Sequence, residues 1–117
     1  MREDRFIRLL ADRLTESLRS GRPLRVPEGG EPAWSAFADL SRTRVITPVG
    51  PAAIAYAEIE AHARLMRLPL EPGHVRAIVA LDRAFLAHAR GKAAGQAKVP
   101  DEMRHRLTAA AFDAVFG

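Results

Sequence analysis

Prolines and glycines fall in clusters along this chain of 117 residues, and between the clusters apolar residues recur every three or four positions. Proline removes a backbone donor and clashes with the preceding helical turn, and glycine is the residue most expensive to order, so each cluster denies the chain a regular ladder. The spacing in between is that of helices with one buried face, and no strand-like alternation competes with it. The pattern predicts an all-α protein: a small bundle of about five helices with Pro/Gly-rich connections. It reads as a single helical domain over 1–117, with its core in 32–90.

The first helix is expected over 3–19, with Phe6, Leu10, Leu14 and Leu18 on one face, ending at Ser20 and Gly21. Residues 21–31 hold two prolines and three glycines and read as an extended linker from which Leu24 and Val26 dock on the core. Pro32 suits the first turn of a second helix carrying Trp34, Phe37 and Leu40 to about Arg44, followed by a loop over 45–51. A third helix is expected over 52–66, its apolar stripe (Ile54, Ala57, Ile59, Leu65, Met66) wide enough to need partners on two sides, which makes it the centre of the core. Pro72 restarts a fourth helix with Val75, Ile78, Leu81, Phe85 and Leu86 inward, packed against the third as an antiparallel or angled pair. Residues 91–99 are small and polar and read as a flexible linker or a frayed helix end; Pro100, Asp101 and Glu102 then open a last helix over 100–116.

The expected core anchors are Trp34, Phe37, Ile59, Leu65, Val75, Ile78 and Phe85. Asp82 joins them, because a carboxylate among Leu81, Phe85 and Leu86 has little water and calls for an arginine across the interface, such as Arg44 or Arg64.

The chemistry that the residues exclude is broad. With no cysteine there are no disulfides, thiolate nucleophiles or Cys-based zinc sites, and a reducing compartment fits. The N-terminus is charged throughout and lacks the apolar run of a signal peptide or membrane span. His62, His74, His88 and His105 form no metal-ligand spacing beyond Glu58 with His62, two ligands where zinc wants three or four. No serine sits in a nucleophile elbow, and no glycine-rich loop follows a strand. The chain is therefore expected to work without catalytic residues, metal or cofactor, by binding another macromolecule.

The net charge of +4 comes from 16 arginines and two lysines, but the signs are mixed: seven basic against five acidic residues in 1–30, four against four in 31–70, and seven against five in 71–117. No segment is a polybasic tail. The stretch 57–78, helix, turn and helix with His74, Arg76 and Arg83 on the second member, has the outline of a DNA-binding helix-turn-helix. Its turn carries two prolines and lacks the usual glycine, and the second helix offers few polar groups to read bases, so nucleic acid is the lesser expectation. The preferred partner is a protein. Met103, Leu107, Ala111 and Val115 repeat every four residues on the last helix, a face that a partner helix can complete or that can close this protein's own bundle.

Three stretches carry a more specific pattern: Trp34-x-x-Phe37-x-x-Leu40-x-x-x-Arg44; Gly50-Pro51-x-x-Ile54-x-x-x-Glu58-Ile59-x-Ala61-x-x-Arg64-Leu65; and Leu70-x-Pro72-x-x-Val75-x-x-Ile78-x-x-Leu81-Asp82-Arg83-Ala84-Phe85-Leu86. Over about residues 32–88 the chain resembles small tailed-bacteriophage proteins, the tail assembly chaperones or their companion frame. The resemblance implies a protein of the host cytoplasm that needs no nucleotide and acts in virion morphogenesis. It would keep a tail protein, the tape-measure protein first and the tail tube protein second, soluble until the tube polymerises. Residues 1–31 and 91–117 carry no matching motif, which leaves room for a DNA-binding regulator or a small phage protein that inhibits a host factor by surface binding.

Overall fold

The computed structural model describes residues 2–95. In chain order they form α1 (Arg2–Ser20), α2 (Glu31–Arg42), β1 (Ile46–Thr47), β2 (Gly50–Pro51), α3 (Tyr56–Leu65) and α4 (Pro72–Gly95). The described residues are thus mostly helical, with four helices; the expected fifth, over 100–116, lies outside them. Residues 91–95 continue α4 as its last turn, the helix-end alternative, in a run where Lys92, Ala93 and Ala94 are good helix formers.

The centre of the bundle is α4, not the third helix. One face of α4 takes α1, a second takes α2, and β2 touches it as well. Glu3 meets Arg76 near the start of both helices, and the Arg19 charge reaches His88 further on, so α1 and α4 run in the same direction. The Phe37 ring meets Phe85 edge-on at 6.5 Å while Arg44 meets Asp82, so α2 runs the other way. Leu10, Leu14, Phe37, Ile78 and Leu81 are fully buried where these helices converge. Each such side chain contributes roughly 1.5–3 kcal/mol of transfer free energy. Trp34 and Val75 are half-buried and close the edge of this cluster, the Trp34 ring tilted against Phe37 at 5.8 Å.

Residues 21–30 follow α1 as an extended strap. Gly21 takes a positive φ of 75° and its N–H donates to the Ser17 carbonyl, which ends α1. The Ser17 hydroxyl donates to the Arg22 carbonyl and the Arg13 guanidinium to that of Arg25, holding the strap along the helix while Leu24 packs on the core. At buried Gly30 a Cβ would stand 3.1 Å from both the Pro27 carbonyl oxygen and Val26 Cγ1, so any side chain here would press the strap away from the start of α2.

Between α2 and α4 the structure departs most from the sequence expectation. The loop over 45–51 is a two-stranded antiparallel ribbon, Ile46 opposite Pro51 and Thr47 opposite Gly50. The third helix begins at Tyr56, four residues later than expected, because residues 52–55 bond elsewhere: the Ala52 carbonyl accepts from Arg44, and the Ile54 N–H donates to Asp82. Of α3 only Ile59 is buried, and the helix leans on α2. Leu65, expected in the core, is 79% exposed. At 100° per residue it lies about 120° around the helix from Ile59, away from the buried face. Nor do α3 and α4 pack as a pair; a groove separates the start of α3 from α4.

Candidate partner-binding surface

A buried ion pair shapes this region. Arg44 Nη1 lies 2.6 Å from Asp82 Oδ1, with the two side chains only 3% and 7% exposed. The guanidinium also donates to the Ala52 carbonyl at 2.8 Å and to Ser41 Oγ at 3.0 Å, and its Cζ stands 4.5 Å from the centroid of the Phe85 ring. Asp82 Oδ2 accepts the Ile54 N–H at 3.0 Å. One carboxylate on α4 and one guanidinium just past α2 thereby pin residues 52–55 in an extended path. The groove lies beyond them, about 180 Å³, with Ile54, Tyr56 and Ile59 on one wall and Val79, Arg83 and Leu86 on the other.

The same connection carries nearly all the exposed apolar bulk. Of the eight large hydrophobic residues exposed among the described residues, seven fall in 45–68: Val45, Ile46, Val49, Tyr56, Leu65, Met66 and Leu68. Val49, at the ribbon's tip, is 96% exposed. Helical spacing alone assigns Leu65 and Met66 to a core, and the Pro/Gly pattern assigns Val45 to Val49 to a loop, so neither signal separates a binding face from a packing face. The one local cue is the β-branched run Val45-Ile46-Thr47 just before Pro48.

The face anticipated on Met103, Leu107, Ala111 and Val115 lies outside the described residues. The helix-turn-helix elements are within them and are engaged elsewhere. Arg76 is bound to Glu3 at 2.6 Å; that hydrogen bond and the facing charge lower the Glu3 pKa and raise that of Arg76. His74 Nδ1 accepts the Glu71 N–H at 3.0 Å, and the first helix of the pair rests on α2 instead of supporting the second. Glu58 and His62 turn to different partners, Glu58 to the Ala55 N–H at 3.2 Å and His62 to Asp39 at 3.6 Å. Among the described residues no three metal-ligating side chains converge, and no helix is long and apolar enough to cross a membrane.

No curated protein and no solved structure gives a significant match to the chain. A family model described as phage tail assembly chaperone matches residues 11–87, from the middle of α1 into the second half of α4. The matched span includes the strap, the Arg44–Asp82 pair, the groove and the whole exposed connection over 45–68. Spanning about two thirds of the sequence, 77 of 117 residues, that match shows that the chain belongs to the phage tail assembly chaperone family.

Proposed function

We propose that this protein is a holding chaperone whose tail-protein client is the tape-measure protein, kept soluble in the host cytoplasm until the tube protein encloses it. It acts by surface binding, with no catalytic step, nucleotide or cofactor. Membership of the family carries a role in tail assembly and a tail-protein partner; the tape-measure protein is the candidate whose need fits best, since a long helical protein exposes apolar faces until the tube surrounds it. The observation that carries the reading is the concentration of exposed apolar side chains on 45–68, beside a groove held open by the Arg44–Asp82 pair. An open apolar surface of this kind shields a client helix without energy input.

Co-expression with the tape-measure protein tests this. Soluble co-purification of the two chains is the expected result, and a tape-measure protein that stays insoluble and unbound overturns it. Deleting residues 100–117 then locates the contact. Binding that survives the deletion assigns the client to the surface over 45–68, and binding lost while the remainder stays folded assigns it to the face with Met103, Leu107, Ala111 and Val115.

A further inference from the structure

Two charged residues stand in the wall of the groove, and only one of them has its charge met. Asp82 is engaged on both oxygens, Oδ1 facing Arg44 and Oδ2 accepting the Ile54 N–H. Arg83 is exposed on the α4 wall, one turn from Val79 and one from Leu86, and no carboxylate among the described residues pairs with it. Arg90, exposed and unpaired in the same way, comes seven residues later and within about 20° of Arg83 around the helix. We propose that the groove receives an apolar side chain of a client helix that carries a carboxylate one turn away, paired with Arg83.

Size, charge and position all select this occupant. A dry cavity of about 150 Å³ accepts benzene, so a groove of 180 Å³ takes one leucine, methionine or phenylalanine side chain. With Asp82 neutralised by Arg44, the charge left on the groove is that of Arg83, which attracts a carboxylate and repels a cation, the more strongly for its apolar surroundings. Residues three or four apart are neighbours on a helix surface, so one turn of client presents both the anchor and the acid. A second acid seven residues from the first would meet Arg90, about 10.5 Å further along α4. Tyr56 belongs both to the groove and to the exposed connection, so a helix anchored here lies beside the apolar groups over 45–68. The identity of the client rests on the reading above; the groove adds which of its segments are held.

Overlapping peptides from the tape-measure and tail tube proteins, each long enough for several helical turns, test this when probed with the full chain. The bound peptides are expected to carry a large apolar residue with Asp or Glu three or four positions away. Arg83→Glu should weaken their binding about tenfold or more, since it sets like charges against each other, and Arg83→Lys should stay within about threefold. Arg5→Glu, the same change of charge on an exposed position of α1, is expected to leave binding unaltered. Ala53→Trp fills the groove from an exposed position and keeps Arg83, and should weaken binding as much as Arg83→Glu. Binding indifferent to the acid, equal losses in Arg5→Glu and Arg83→Glu, an Ala53→Trp chain that binds as the parent does, or no bound peptide at all overturns the proposal. Acid-dependent binding confined to tube-protein peptides would support the groove and remove the tape-measure protein as client. Tape-measure co-purification that Arg83→Glu leaves intact would do the reverse.

Discussion

Arg44 and Asp82 carry opposite charges into a place where neither alone is tolerable, and the consequences of removing them differ. Asp82→Ala leaves the guanidinium buried with only the Ser41 hydroxyl and the Ala52 carbonyl, and also frees the Ile54 N–H. The loss should be about 3–5 kcal/mol by denaturant titration. The double change Arg44→Met with Asp82→Leu should lose less than the single one, because the desolvated charge goes too. That Asp82 is paired was legible from the sequence, since a carboxylate inside an apolar helix demands a cation. Which arginine answers it was not, because Arg64 had an equal claim by spacing; in the structure Arg64 instead lies 3.5 Å from Glu60 on the exposed side of α3. His88 poses the complementary case. Burial, with the nearby charges of Lys92 and Arg19, lowers its pKa, so the folded chain takes up a proton less readily than the unfolded one. Its contribution to stability is therefore present above the unfolded value of 6.5 and is lost as pH falls through the folded one. The melting temperature should drop as the pH is lowered from 6.5, and drop less in His88→Gln.

The least supported element is α3, and both its ends show why. Glu58 reaches back to the Ala55 N–H, one half of a capping box whose other half needs a hydroxyl that alanine lacks. Ala55→Ser, at an exposed residue already in extended conformation, should stabilise the protein by about 0.5–1 kcal/mol. At the other end, the Leu68 N–H bonds to the Ala63 carbonyl and the Arg67 N–H to that of Arg64, a closing turn that puts Arg67 at a φ of 53°. Arg67→Gly should raise stability by a few tenths to about 1 kcal/mol, since glycine enters that region without a clash between Cβ and carbonyl. The spacing of Leu10, Leu14 and Leu18 made α1 legible, and Pro32 and Pro72 marked the first turns of α2 and α4. The start of α3 was not legible, because long-range bonds to Arg44 and Asp82 decide it, and local spacing carries no trace of them. The helix that results keeps only Ile59 in the core, where a wide buried stripe was expected.

Across the whole molecule the division of labour is between a packed body of α1, α2 and α4 and a thinly packed connection over 45–68 that bears the exposed apolar groups. A monomeric soluble protein seldom gathers such groups without a use for them. The fold class was legible from the chain's punctuation, and the family from residues over 32–88, but the candidate surface was not, because exposed and buried apolar residues leave the same spacing in a sequence. Substitution separates the two. Val49→Asp at the ribbon tip and Leu65→Glu on the open side of α3 remove no packed side chain, so each should change folding stability by no more than about 0.5 kcal/mol. If the connection meets the client, the same changes put an uncompensated carboxylate into an apolar contact. Co-purification with the tape-measure protein should then fall about tenfold or more, the size of effect that a buried unpaired charge produces at an interface. Loss of stability in step with loss of binding would make the connection a structural part. Stability and binding both unchanged would move the client to the face of Met103, Leu107, Ala111 and Val115. A deficit in binding alone at both positions, some distance apart in sequence and on different elements, would define one continuous client surface over the connection.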